Sequence, residues 1–196
     1  MLTEKIIKKA AIFLHEKRSD KTIPIEVYIY GLQLLFSNVN IVVAILLISS
    51  LFDSIFIGLL YMLIYVSLKV TSGGYHAKTS LGCFLVSIFN FLSVLFLSKI
   101  LTEICIRTIF WIVFLLLMVL FLLINKPLIS KRRKVKKEAI RKNKIISTII
   151  IIFISGVTIV GYCFCNDTYI LNFIVLTIAS VAIGILLGRK ERKNYV

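Results

Sequence analysis

Six runs of nearly unbroken apolar residues, at 32–52, 54–70, 81–101, 104–124, 145–164 and 169–187, limit what this chain can fold into. A run of about 20 apolar residues matches the hydrocarbon thickness of a bilayer, and about 17 is the lower limit. The run at 54–70 is the shortest of the six. Backbone groups in lipid have no water to bond, so each run must satisfy its own N–H and C=O groups. These runs also lack the alternation and regular hairpins of a transmembrane barrel, which leaves helices. The sequence therefore predicts an all-α integral membrane protein with six transmembrane helices. No fixed-period repeat or low-complexity linker divides it, so residues 1–196 are expected to form a single polytopic membrane domain.

The charges give the expected orientation. With 59% hydrophobic residues, the chain still carries 24 Lys and Arg against 9 Asp and Glu, a net +15. Such an excess can mark a nucleic-acid binder, but here it is sorted by segment. If the N-terminus is inside, the inner segments are 1–31, 69–80, 126–144 and 188–196. They hold six, two, ten and four of the basic residues, 22 of the 24. The outer turns keep Asp53, Lys99, Glu103 and Asp167, with Arg107 just inside the fourth helix and able to snorkel outward. This is the positive-inside pattern, and a helix missed or added would scramble it. Both termini are expected in the cytoplasm, with anionic lipid headgroups as partners of the basic face and no nucleic acid.

The first apolar stretch is short, broken by Lys8 and Lys9, and followed by no small-residue cleavage site, so no signal peptide is expected. Ile6, Ile7, Ala10, Ala11, Phe13 and Leu14 instead recur at helical spacing opposite Lys5, Lys8, Lys9 and Lys17. That pattern describes an N-terminal amphipathic helix in the inner interface, with a cytoplasmic docking helix as the plainer alternative. Pro24 starts the next helix. A helix from Ile25 to Phe52 is too long for one untilted crossing. A break or bend near Ser37-Asn38-Val39-Asn40, or an interfacial first half, is expected.

The inner loop at 69–80 is chemically unlike the rest of the chain. It contains Gly73-Gly74, which can take backbone conformations closed to other residues, and then His76, one of only two histidines. Cys83 follows seven residues later, at the inner mouth of the third helix. Cysteine acts as a nucleophile when it is a thiolate, and a nearby imidazole can take its proton. Seven helical residues span ~10 Å, too far for contact, so the loop must fold back at the glycines, with a helix beginning near Ser80. A place in the first helical turn would favour the thiolate further. The same residues would equally suit an ordinary polar turn and a buried structural thiol, and spacing alone does not separate the two readings.

At this loop the sequence resembles the AgrB family, membrane endopeptidases that process a quorum-sensing propeptide in Gram-positive bacteria. The likeness rests on Gly73-Gly74-Tyr75-His76-Ala77-Lys78-Thr79 with Cys83, and on Tyr30-Gly31-Leu32; length, six-helix topology and the basic inner face agree. It implies a cysteine endopeptidase of the plasma membrane whose site faces the cytoplasm, with Cys83 as nucleophile and His76 as base. Its substrate would be an AgrD-like propeptide with an amphipathic leader and an acidic tail. Cleavage would leave an acyl-enzyme thioester, which a cysteine or serine of the peptide attacks to close a macrocycle (thiolactone or lactone). The family usually has arginine seven residues before the histidine, where this chain has Lys69. The charge is kept and the forked geometry is lost, which alters any two-pronged grip on a carboxylate. A helix-end anchor is the other role open to Lys69. Backbone amides around Gly73, Gly74 or Cys83 are the natural oxyanion donors.

Ser87 and Asn90 share the face of Cys83, and Asn90 is expected to pack helices through hydrogen bonds instead of orienting His76. Cys105, Cys163 and Cys165 map to outer helix ends, where unpaired thiols are more usual than a disulfide. No second inner His or Cys lies near His76 and Cys83, His15 being distant in sequence, so neither zinc nor another cofactor is expected. The ten basic residues of 126–144 would fix topology, bind anionic lipid, or attract the acidic tail of the substrate. A transporter needs ionisable groups at mid-membrane, which these helices almost entirely lack, and a scaffold would tolerate loss of the thiol. A homodimer is allowed by the sequence and not specified by it.

Overall fold

The computed structural model describes residues 2–17, 24–52, 55–72, 79–104, 108–124, 137–164 and 168–193. They form α1 (Leu2–Lys17), α2 (Ile25–Leu51), α3 (Ile55–Ser72), α4 (Ser80–Glu103), α5 (Thr108–Ile124), α6 (Lys137–Phe164) and α7 (Thr168–Lys193), with no strand among the described residues. Five of them, α2, α3, α4, α6 and α7, are long and apolar enough to cross a membrane, and α5 is a shorter apolar helix of 17 residues. The protein is an all-α membrane protein.

α7 is the central element. In its most apolar stretch 67% is buried inside the protein, whereas no other span exceeds 33%. It packs against α3, α4, α5 and α6. Two apolar clusters meet along it. One joins Ile64 and Leu68 of α3, Trp111 and Leu115 of α5 and Ile151 of α6 to Val175 and Ile178. The other joins Ile45 of α2, Tyr61 of α3 and Phe91 and Leu95 of α4 to Phe173. Outward faces carry large apolar side chains such as Leu47, Phe89, Val113 and Phe153, as lipid-facing positions should. Lipid tails give no hydrophobic reason for apolar helices to associate, so packing and interhelical hydrogen bonds must hold such a bundle.

Those bonds fix the directions of the helices. At one end, Tyr162 of α6 donates to Asn172 Oδ1 of α7 at 2.7 Å, and Asn172 Nδ2 donates to Thr102 Oγ1 of α4 at 2.8 Å. Near that end, Phe52, just past α2, meets the Phe96 ring of α4 at 5.6 Å. At the other end, the Ser72 and Ser147 hydroxyls, on α3 and α6, share a buried hydrogen bond of 2.5 Å. The C-terminal end of α4 and the N-terminal half of α6 thus lie at opposite ends of the bundle, so α5 must make the return crossing. Lys69, Arg141, Lys142, Lys144 and Arg189 all fall at the Ser72–Ser147 end, matching the charge sorting read from the sequence.

α2 is continuous helix through Ser37-Asn38-Val39-Asn40, so of the alternatives expected for its extra length a break is not the one realised. Its 27 residues are ~40 Å long, and the excess lies at its start, where α1 packs against it. There Ala11 is fully buried, and the His15 and Tyr28 rings meet edge to face at 5.8 Å. Ile104, expected to open the fourth apolar run, instead caps the end of α4, and within the described residues that run forms the 17-residue α5 from Thr108, near the lower limit for a crossing.

Candidate active site

Thr79 and Cys83 are placed by the start of α4. Thr79 is extended (φ −116°, ψ 153°) and its hydroxyl accepts the Gly82 amide at 3.1 Å, a side-chain N-cap. The Cys83 amide donates to the Thr79 carbonyl at 3.0 Å and begins the helical ladder. Cys83 therefore stands in the first turn of α4, on a helix that begins at Ser80 as the sequence predicts. Helical Cα–Cβ bonds tilt toward the N-terminus, so the thiol leans over the turn before it, toward the positive end of the helix dipole.

The thiol also shares the inward face of α4. Ser87, Phe91, Val94 and Ser98, recurring at helical spacing from Cys83, are buried, while Leu81, Leu85 and Phe89 on the opposite face are exposed. Cys83 itself is half-buried and free. It thus combines partial exposure with a place in the first turn of a helix.

The Cys83 amide is already bonded to Thr79, which removes it from the expected oxyanion donors. Ser80 and Leu81, at the first two helical positions, have amides that precede the ladder and need acceptors from outside the helix. They replace it as candidates, and the Thr79-Ser80 pair before an apolar run was the sequence signal for this cap. His76, Gly73 and Gly74 lie outside the described residues, as do Cys105, Cys165 and residues 126–136 of the basic segment. Cys163 is exposed and free at the far end of α6.

Lys69, on the last turn of α3, is half-buried. Its ammonium donates to the Tyr65 hydroxyl at 3.1 Å and sits 5.0 Å from the centre of the same ring. Tyr65 stacks on Tyr61 at 5.0 Å, and the Tyr61 hydroxyl accepts from Asn90 Nδ2 at 2.7 Å. Asn90 also reaches Ser180 Oγ of α7 at 3.3 Å. Asn90 thus ties three helices together, as expected of it. The Tyr61–Tyr65 column was not foreseen, because tyrosines in an apolar run read as ordinary core or interface aromatics.

A bundle of apolar helices with a half-buried thiol at its basic end defines an integral membrane protein with a candidate cysteine site. The chain matches the model of the family Accessory gene regulator B (AgrB) over residues 1–186 of its 196, and it belongs to that family. No curated protein and no solved structure matches it. The family is known for processing AgrD-type propeptides, which points to a peptidase-type enzyme and a substrate of that type.

Proposed function

We propose that this protein is a membrane cysteine endopeptidase that removes the C-terminal tail of an AgrD-type propeptide and passes the remaining acyl group on to form a macrocycle. The observation that carries the reading is the position of Cys83: half-buried, inward-facing, and in the first turn of a helix at the basic end of the bundle. His76 is assigned as the base on the strength of the resemblance at Gly73-Gly74-Tyr75-His76.

In the first step His76 takes the thiol proton and the Cys83 sulfur attacks the scissile carbonyl carbon. The amides of Ser80 and Leu81, at the start of α4, are suited to receive the negative charge that moves to the carbonyl oxygen. Collapse breaks the C–N bond, and the imidazolium returns its proton to the departing amine of the tail. The acyl group is left on Cys83 as a thioester. A thiol or hydroxyl of the peptide then attacks that carbon, loses its proton to His76, and releases the Cys83 sulfur. This sequence consumes no water, and a site sunk at the membrane interface limits hydrolysis of the thioester while it waits.

The proposed setting is the cytoplasmic side of a Gram-positive plasma membrane, where the basic end faces anionic lipid and can attract an acidic tail. Co-expression with a candidate propeptide tests the assignment. Cys83→Ala and His76→Ala should each abolish the truncated product while the protein still inserts in the membrane. Product formed at the wild-type level by either variant removes that residue from the mechanism.

A further inference from the structure

The first turn of α4, residues 80–83, has little besides its own backbone to hold it. Leu81 and Leu85 are 69% and 56% exposed, so neither anchors the turn against another helix. Gly82, Cys83 and Phe84 are half-buried, and Ser87, a turn further on, is the first buried residue among those described on α4. Gly82 brings no side chain to the turn, and glycine lowers a helical population about fivefold relative to alanine. A helix end of this composition frays, because opening it breaks few bonds and few contacts.

Thr79 acts on that turn twice. Its carbonyl accepts the Cys83 amide at 3.0 Å, and its hydroxyl accepts the Gly82 amide at 3.1 Å. The two bonds pin consecutive amides, one of them on the residue that contributes least to the helix. The Thr79 side chain is exposed, so its hydroxyl serves the turn through this bond and not through packing. With the turn wound, Cys83 lies on the inward row that continues through Ser87 and Phe91. Successive helical residues are ~100° apart about the axis, so unwinding takes the thiol off that row.

We propose that Thr79 is a positioning residue for the nucleophile: its hydroxyl keeps the first turn of α4 wound and so fixes the direction from which the Cys83 sulfur meets the scissile carbonyl. This deepens the reading of Cys83 as nucleophile and rests on it. Thr79 itself touches no reacting atom. A cap of this kind favours the wound turn over the frayed one by about fivefold, ~1 kcal/mol. Attack requires the sulfur in one orientation, so the frayed state binds substrate without reacting.

Thr79→Val keeps the β-branched shape and removes the acceptor, whereas Thr79→Ser and Thr79→Asn keep a capping oxygen. In the full chain in nanodiscs, amide hydrogen exchange at Cys83 and Phe84 should quicken about two- to fivefold in Thr79→Val and stay at or below the wild-type rate in the other two. With a purified AgrD-type propeptide, kcat for tail removal should fall about two- to fivefold in Thr79→Val with KM unchanged, and Thr79→Ser and Thr79→Asn should keep the wild-type kcat. Wild-type exchange in Thr79→Val overturns the proposal. So does faster exchange with kcat unchanged, the result of a cap that serves stability alone, and so does a fall in kcat shared by all three variants. Exchange is read without substrate. Processing that persists in Cys83→Ala refutes the proposed function, whereas Thr79→Val at the wild-type kcat, with processing still dependent on Cys83, refutes this inference alone.

Discussion

Asn90 donates to hydroxyls on two other helices, Tyr61 of α3 and Ser180 of α7, in the middle of an apolar bundle. Replacing it with leucine removes both bonds and strands the Tyr61 hydroxyl, which is otherwise fully enclosed. Interhelical hydrogen bonds in membranes are worth about 1 kcal/mol each, and an unpaired buried hydroxyl adds a similar cost. Asn90→Leu should therefore destabilise the bundle by about 1–3 kcal/mol in a detergent-unfolding titration; an unchanged midpoint contradicts the tie. Asn90 was legible in the sequence because a lone amide inside an apolar run needs partners wherever it lies. Its partners were not legible, since nothing local in the sequence says which hydroxyl on another helix stands at the same depth. The site divides the same way. Cys83 and the helix start near Ser80 are local features and were legible, whereas the pairing of Lys69 with Tyr65 depends on which way a long side chain turns.

Pairs of helices are held by close approach as well as by polar bonds. A Cβ at Gly58, near the start of α3, would collide with the Ser49 side chain of α2, so glycine is what lets this hairpin close. Gly58→Ala should cost about 1–3 kcal/mol through overpacking, and Ser49→Gly in the same chain should recover much of it. Thermal unfolding of the two variants checks this, and no loss in Gly58→Ala contradicts the close approach. Hydrophobic run length foretold each spanning helix because the bilayer sets that length directly. It assigned Ile104 to the fourth run where that residue caps α4, and it left open whether α2 breaks near Ser37-Asn38-Val39-Asn40, where the helix is in fact continuous. Where a helix ends depends on caps and neighbours, which hydropathy does not record.

At the level of the whole molecule, the end of the bundle that carries Cys83 also carries the described basic residues Lys69, Arg141, Lys142, Lys144 and Arg189. A positive field there serves the proposed chemistry twice: it favours an anionic sulfur and draws in an acidic peptide tail. Changing four or more of the lysines in 126–144 to glutamine, with insertion preserved, should slow processing several-fold and weaken its salt dependence. Processing at an unchanged rate contradicts a role for this charge in capturing substrate. The proposed chemistry depends most on a covalent bond between peptide and Cys83. A propeptide whose ring-closing cysteine or serine is replaced by alanine cannot complete the exchange and should leave the acyl group on the enzyme. Mass spectrometry of the membrane-embedded protein should then find the truncated peptide attached to Cys83 through a hydroxylamine-sensitive thioester, absent in His76→Ala. Tail release from that propeptide with Cys83 unmodified throughout, or equal release by Cys83→Ala, contradicts the account.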